Sequence, residues 1–245
     1  ELIINVTSFE TRVALLENSS LSELHIERES DKGITGNIYK GRVTRVLPGM
    51  QAAFVDIGIS RSAFLYVVDV YRSDIGFEEM LNGTPDVLVD MEQNDKPSDP
   101  QKTRLTYPIE DLLIEGQEIP VQVVKEPIGS KGSRISSHVS LPGRYLVYMP
   151  MVNHVGISRR IENEEERARL KDIVQRIKSA DAGFIIRTAS EGAVEEEIAM
   201  DMDFLSRVWD NIQKRMLHAP VPSLVHEDLS ISLRAIRDLY SNDVE

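Results

Sequence analysis

The feature that most constrains the fold is a series of short apolar segments with β-strand character in the first part of the chain. They are rich in β-branched and aromatic residues and are separated by turn residues such as Pro48-Gly49. Five such segments in under about 110 residues predict a small closed or nearly closed barrel of the OB-fold type. The predicted strands are Ile38 to Leu47, Met50 to Ile57, Ser62 to Leu65, Ile119 to Val124 and Arg134 to Val139.

The segments on either side of the barrel mix strands and helices, which predicts an α+β protein. Three short strands open the chain, and apolar residues recur at helical spacing after the barrel. Residues 70–106, within the barrel, are rich in Asp, Pro, Asn and Gly, and we expect a long acidic loop there. The further predicted elements are strands at Leu2 to Val6, Arg12 to Leu16, Leu21 to Ile26, Arg144 to Met149 and Phe184 to Arg187, and helices around Leu170 to Ile177, Glu195 to Leu217 and Leu229 to Leu239.

The composition excludes several kinds of site. With 41% apolar residues the chain can bury a core, and because it lacks both a membrane-length apolar segment and a signal-peptide pattern we expect a cytoplasmic protein. The absence of cysteine excludes disulfides and thiolate ligands within this sequence, and the five histidines, expected to be surface or capped residues, lack the spacing of a helical metal site. A net charge of -12 implies that any RNA site is a small basic patch on an acidic body.

Two phenylalanines on neighbouring barrel strands are candidates for base stacking. A strand period of two places Phe54 on the same face as the charged Asp56. The same alternation places Phe64 with Ser62. Both rings could then lie on the outer surface, where aromatic rings stack bases at about 1 to 3 kcal/mol per base. The alternative is a second, minor core on that face.

The turn between the last two barrel strands is a candidate phosphate contact. In the segment from Pro127 to Arg134, glycines lie on both sides of Lys131, so the backbone can approach a phosphate and the ammonium can neutralise it. The alternative is a solvated turn that binds nothing.

The end of the strand from Phe184 to Arg187 is a candidate site for a terminal phosphate. An apolar strand ends abruptly in Arg187 and Thr188. A planar guanidinium offers paired donors to two phosphate oxygens, and the adjacent hydroxyl and amide can complete a ring of donors. The alternative is an arginine that pairs with a carboxylate on the neighbouring helix.

Five segments along nearly the whole chain carry recognisable motifs. They are Asn37 to Val43, Met50 to Gly58, Leu141 to Val147, Gly156 to Ile161 and Ile186 to Ala189. In sequence and in order these motifs closely resemble the ribonuclease E/G family. The resemblance implies an OB-fold RNA-binding barrel of the ribosomal protein S-one type, inserted in a divided ribonuclease H-like subdomain and followed by an α/β 5′-sensor region. The implied boundaries are 1–35 and 220–245 for the ribonuclease H-like parts, 36–125 for the barrel with its acidic insertion at 70–106, and 126–219 for the 5′-sensor region.

The family resemblance also implies which residues contact RNA. A 5′-monophosphate would be bound by Arg187 and Thr188, with Arg159 as a second cationic contact. The pocket beneath the first nucleotide would be lined by Gly143 and Val147. The barrel residues that would grip the single strand leading to the cleavage site are Phe54, Phe64 and Lys131.

For the parent protein, the resemblance implies a magnesium-dependent, single-strand-specific endoribonuclease of RNA processing and decay, including rRNA maturation and mRNA turnover. In the family, two aspartates that hold magnesium lie in a later deoxyribonuclease-like domain, and a cysteine pair beyond it shares zinc with a second subunit. We therefore expect no catalytic residue, metal site or cofactor in this chain, no cleavage by the chain alone, and a homo-oligomeric parent protein. Dimerisation of the fragment is left open, and the alternative function is a non-catalytic RNA-binding or protein-interaction scaffold.

Overall fold

The computed structural model describes residues 1–71, 107–129 and 131–240, so the predicted acidic insertion lies, from residue 72 on, outside the described residues. In chain order the strands are β1 (Leu2–Val6), β2 (Glu10–Glu17), β3 (Ser20–Arg28), β4 (Ile38–Leu47), β5 (Ala52–Asp56), β6 (Ala63–Tyr66), β7 (Glu118–Lys125), β8 (Arg134–Ser136), β9 (Leu141–Pro142), β10 (Leu146–Met149), β11 (Val155–Ile157), β12 (Gly183–Ile186) and β13 (Ser223–His226). The helices are α1 (Ile109–Leu112), α2 (Glu164–Ile177), α3 (Glu195–His218) and α4 (Ile231–Leu239).

The chain divides into two compact units, one made of Glu1–Ile34 with Glu227–Glu245 and the other of Thr35–His226. In the first unit β1, β2 and β3 form an antiparallel sheet in that order, and α4 packs against β2. The Arg234 guanidinium of α4 lies 3.3 Å from the Glu27 carboxylate of β3. This ion pair and the buried side chain of Val13 hold the helix and the sheet together.

Five strands of the second unit form a closed barrel. Hydrogen bonds link β4, β5, β6, β8 and β7 in that order, and pairing of β7 with β4 closes the ring. Because strand residues alternate between the two faces, aliphatic side chains fill the interior. Those that are almost completely buried include Val43, Val55, Leu65, Val121 and Ile135. The strand β8 lies beyond residue 125, the barrel boundary that the family resemblance implied, and within the segment Arg134 to Val139 that the strand pattern assigned to the barrel.

A second sheet follows the barrel, with the strand order β11-β12-β10-β9. Strand β10 is antiparallel to β12, whereas β11 is parallel to it, and α2 and α3 pack against these strands. The resulting core contains Phe184 and Trp209, and it also takes in Ile38 of β4 and Val225 of β13. Because β13 pairs with β4, the chain returns to the barrel after α3, and Ile38 and Val225 of these two strands join the core of the second sheet.

The two long helices form where local sequence favours them. The Asn163 side chain caps α2 by accepting the backbone amides of Glu165 and Glu166 at 2.9 and 3.1 Å, which satisfies donors that a helix start otherwise leaves without partners. The apolar residues that recur at helical spacing along α3 lie on one buried face. Its buried members are Ile198, Met202, Leu205, Trp209 and Ile212.

The structure confirms the predicted α+β class and the five-stranded barrel, and it adds three short strands that the sequence did not predict, β9, β11 and β13. It also departs from the expectation that every histidine is a surface or capped residue. The Nδ1 atom of His138 is buried and, among the described residues, has no hydrogen-bond partner, and burial lowers the pKa of this histidine to about 4. Within the described ranges, no helix combines the length and apolarity needed to cross a membrane.

Candidate nucleic-acid interface

Arg187 and Thr188 follow the last residue of β12 and lie at one end of the second sheet. The Arg187 backbone amide donates to the Tyr145 carbonyl at 2.8 Å, and its guanidinium Nη1 donates to the carbonyl of Gly143. The Thr188 hydroxyl lies 3.1 Å from the Ser158 hydroxyl. The guanidinium thus donates to the backbone carbonyls of Gly143 and Arg144, and both side chains are half-buried.

Gly143 and Val147 lie beside Arg187. Val147 of β10 pairs in register with Ile185 of β12, and both are half-buried. Since Arg187 follows Ile185 by two residues, strand alternation places it on that same outward face. Gly143 precedes β10, and its carbonyl receives the Arg187 guanidinium. The structure therefore brings the predicted phosphate residues and the predicted pocket residues together.

Arg159 lies at this end of the sheet because the residue before it, Ser158, is hydrogen-bonded to β12. The Ser158 amide donates to the carbonyl of Ile186, the last residue of β12, at 2.8 Å. Arg159 comes directly after Ser158 and is exposed. A third cationic group, Arg160, follows it in the same turn and is exposed as well. Two exposed arginines therefore border the end of the sheet where Arg187 and Thr188 lie.

Phe54 and Phe64 are cross-strand partners on the face of the barrel that points away from its core. Their ring centroids lie 5.3 Å apart in an edge-to-face arrangement, and both rings are half-buried. The inward neighbours of Phe54, Ala53 and Val55, are fully buried. The predicted alternation is therefore correct, and the two rings form one aromatic surface.

Sequence reasoning missed two residues that extend this surface. The Tyr66 ring lies 4.7 Å from the Phe64 ring, and the Arg134 guanidinium lies 5.3 Å from the Tyr66 ring centre. Arg134 also pairs with Asp69 at 3.0 Å; burial raises the pKa of that carboxyl, and the guanidinium opposes part of the rise. Tyr66 could have been found, because it follows Phe64 by two residues on the same strand. The contact between Tyr66 and Arg134 could not have been predicted, because the two residues are far apart in the sequence.

Lys131 lies in the loop between β7 and β8 and is exposed. The next residue, Gly132, packs so tightly against the Ser62 carbonyl that a Cβ there would lie 2.0 Å from the oxygen. Ser133, one residue further, accepts the Phe64 amide at 2.8 Å. Gly132 and Ser133 are therefore fixed beside the strand that carries Phe64, and Lys131 directly precedes them.

The described residues contain no group of three or more histidine, aspartate or glutamate side chains arranged to hold a metal ion. Asp69 is accounted for by its pairing with Arg134. The candidate residues supply cations, hydroxyls and aromatic rings, which are groups that can bind a nucleic acid.

Comparison with known proteins agrees with this chemistry. The Ribonuclease E/G family matches residues 140–245. Ribonuclease G of Haemophilus influenzae is 46% identical over 245 residues, which are 100% of this chain and 46% of that protein. Ribonuclease G of Escherichia coli K12 is 44% identical over 247 residues, again 100% of this chain and 46% of the relative. Ribonuclease E of Haemophilus influenzae is 37% identical over 246 residues, 99% of this chain and 24% of the relative.

The chain thus spans about half the length of the ribonuclease G relatives it matches. Those matches run through the barrel as well as the second sheet, since they cover the whole chain. With a family match over residues 140–245 and 44–46% identity to ribonuclease G along its full length in several species, the chain carries a domain of the ribonuclease E/G family.

Proposed function

We propose that this chain is the RNA-binding and 5′-end-sensing part of a single-strand-specific endoribonuclease of RNA processing and decay. Its homology to ribonuclease G and ribonuclease E supports an RNA ligand. We assign cleavage to a later, magnesium-binding domain of a cytoplasmic, homo-oligomeric parent protein whose zinc joins two subunits. The finer fold proposal is a ribonuclease H-like subdomain in two parts with the barrel inserted between them.

The observation that carries the proposal is the cluster of Arg187, Thr188, Gly143 and Val147 at one end of the second sheet. A terminal monophosphate carries about 1.5 to 2 negative charges at neutral pH and three strong acceptor oxygens. A guanidinium can donate to two of these oxygens, and the Thr188 hydroxyl can donate to a third. The aliphatic pair Val147 and Ile185 supplies an adjacent apolar surface for the first nucleotide.

The barrel supplies the second contact. Phe54 and Phe64 present aromatic surface in register, and Tyr66 with Arg134 continues it. Aromatic rings stack bases of any sequence, whereas a cation such as Lys131 neutralises the backbone phosphates. Single-stranded RNA without a sequence preference is the ligand that fits this combination.

The experiment compares two forms of one short RNA, with a 5′-monophosphate and with a 5′-hydroxyl, in fluorescence anisotropy titrations. We expect the wild-type chain to bind the phosphorylated RNA about tenfold or more tightly, because charge-assisted bonds to Arg187 and Thr188 form only with the phosphate. Arg187→Ala should remove this preference and leave the affinity for 5′-hydroxyl RNA unchanged.

The matched control is Arg207→Ala, which removes an exposed arginine that pairs with Asp203 on α3. This variant should keep the preference. Equal affinities of the wild type for both RNAs would contradict the 5′-sensor function. Incubation of the purified chain with magnesium and RNA should give no cleavage products, and their appearance would contradict the assignment of cleavage to a later domain.

A second candidate function is a protein-interaction scaffold. It is favoured by the net charge of -12 and by three half-exposed apolar side chains, Ile3, Leu24 and Ile26, on one face of the sheet of the first unit. The salt dependence of RNA binding separates the two functions, because the slope reports the number of phosphates neutralised. A steep loss of affinity with added salt favours RNA binding, and a flat response favours the scaffold.

A further inference from the structure

A carboxylate of α3 holds the residues that lead into β10. The Asp201 carboxylate accepts three consecutive backbone amides, those of Arg144 at 3.2 Å, Tyr145 at 2.9 Å and Leu146 at 2.9 Å. Hydrogen bonds to a charged acceptor are roughly twice as strong as bonds between neutral groups. A single side chain therefore fixes the whole turn.

Gly143 is the residue that admits this carboxylate. A Cβ atom built on Gly143 would lie 2.5 Å from both Asp201 oxygens, a separation that real Cβ atoms do not tolerate. The Gly143 amide donates to the Leu146 carbonyl at 2.7 Å, so the turn also closes on itself. A glycine is thus required here for the close approach of Asp201.

The opposite side of the same turn faces Arg187. The Arg187 guanidinium donates to the Gly143 carbonyl, and its backbone amide donates to the Tyr145 carbonyl at 2.8 Å. The Ser190 hydroxyl donates to the Tyr145 carbonyl as well, at 2.7 Å. The amides of Arg144, Tyr145 and Leu146 therefore donate to Asp201, whereas the carbonyls of Gly143, Arg144 and Tyr145 accept from Arg187 or Ser190.

We propose that Asp201 is a positioning residue of the phosphate site. It holds the turn of residues 143–146 so that the Gly143 carbonyl orients the Arg187 guanidinium toward a 5′-phosphate. The identity of the ligand rests on the proposed function, whereas the positioning of Arg187 exists without RNA. The Asp201 carboxylate accepts hydrogen bonds from three backbone amides. These donors offset part of the repulsion that a carboxylate would otherwise exert on a nearby phosphate.

The first test is Asp201→Asn, which keeps the size of the side chain but replaces one acceptor oxygen with a donor, so at least one amide loses its partner. We expect the preference for 5′-monophosphate over 5′-hydroxyl RNA to fall about tenfold or more, with the affinity for 5′-hydroxyl RNA unchanged because the barrel is intact. The matched control is Asp203→Asn, an exposed aspartate on the same helix, which should keep the preference. A full preference in Asp201→Asn would overturn the proposal.

A double-mutant cycle tests the connection between Asp201 and Gly143. Gly143→Ala should also reduce the preference, because its Cβ displaces the carboxylate. In an Asp201→Ala background the displaced group is gone, so Gly143→Ala should cause no further loss. Additive losses would show that Gly143 acts independently of Asp201 and would contradict the proposal.

A measurement without RNA separates this inference from the proposed function. In ¹⁵N NMR spectra the Arg187 Nε–H signal should shift and sharpen in Asp201→Asn, because the guanidinium loses its fixed carbonyl partner, while the signal stays in place in Asp203→Asn. If the wild type shows no 5′-phosphate preference, the proposed function fails, and an unchanged Arg187 signal in Asp201→Asn still overturns the positioning role. Should Asp201→Asn not fold, Gly143→Ala gives the same comparison, because it moves the carboxylate without removing it.

Discussion

Protonation of His138 should destabilise the second unit at mildly acidic pH. Its Nδ1 atom is buried with no partner among the described residues, its ring contacts the Tyr71 ring at 5.8 Å, and desolvation lowers its pKa from 6.5 to about 4. A histidine that is neutral when folded must bind its proton more weakly than in the unfolded chain. Stability is therefore complete above pH 6.5 and falls as the pH drops from 6.5 to about 4.

The size of this loss follows from the shift of the pKa from 6.5 to about 4, because each pKa unit corresponds to about 1.4 kcal/mol, which gives at most about 3 to 4 kcal/mol for the full interval. The perturbation is His138→Phe, which keeps a ring against Tyr71 and removes the titration. Unfolding in urea, followed by the fluorescence of the single tryptophan, Trp209, reports on the same unit. Between about pH 7 and pH 4.5 the wild type should lose roughly 2 to 3 kcal/mol more than the variant.

Other titrating groups near His138 are present in both the wild type and His138→Phe, so their effects cancel in the difference in stability between the two. Burial raises the pKa of Asp69, so that carboxyl binds its proton more tightly when folded and works against acid destabilisation. The control is His218→Gln, at an exposed histidine, which should leave the wild-type pH dependence intact. Parallel stability curves for the wild type and His138→Phe would refute the reasoning.

Two further predictions concern the barrel and the start of α2. Phe54→Ala and Phe64→Ala should each weaken binding of 5′-hydroxyl RNA by about 1 to 3 kcal/mol without changing the preference for a 5′-phosphate, as measured in the same anisotropy titrations; a changed preference with unchanged affinity would contradict the division of roles. Asn163→Ala should lower the free energy of unfolding by about 1 kcal/mol, because two amides lose their capping oxygen, and urea unfolding that leaves the midpoint unchanged would exclude this capping contribution.

The local sequence pattern was sufficient to predict the helices and strands that are long or strictly alternating. The apolar stripe of α3 and the alternation of Phe54 with Val55 predicted the buried and outward faces correctly, because burial imposes a fixed period on a helix or strand. The strands β9, β11 and β13 have between two and four residues each, too few for a period to register. They exist because neighbouring strands supply their hydrogen-bond partners, which a single sequence does not reveal.

The candidate site likewise contains residues that a local pattern indicates and residues that only distant contacts reveal. The strand end alone made Arg187 and Thr188 candidates, because an apolar strand ends there in polar residues, and the family resemblance then favoured them over an arginine paired with a carboxylate. Asp201 was not predicted, because it is one of several aspartates and glutamates on α3 and only its contact with residues far away in sequence distinguishes it. The requirement for glycine at position 143 is likewise set by that contact, since it depends on where the carboxylate lies.

Under the proposed function, the return of the chain to the barrel through β13 bears on the length of RNA that the chain can bind. Ile38, Val225 and Trp209 belong to one core and β13 pairs with β4, so packing and strand pairing both resist separation of the barrel from the second sheet. Under that function, the spacing between Arg187 and the rings of Phe54 and Phe64 sets a minimum length for an RNA that contacts both sites. We expect an RNA with too few unpaired nucleotides after its first phosphate to contact only one of them.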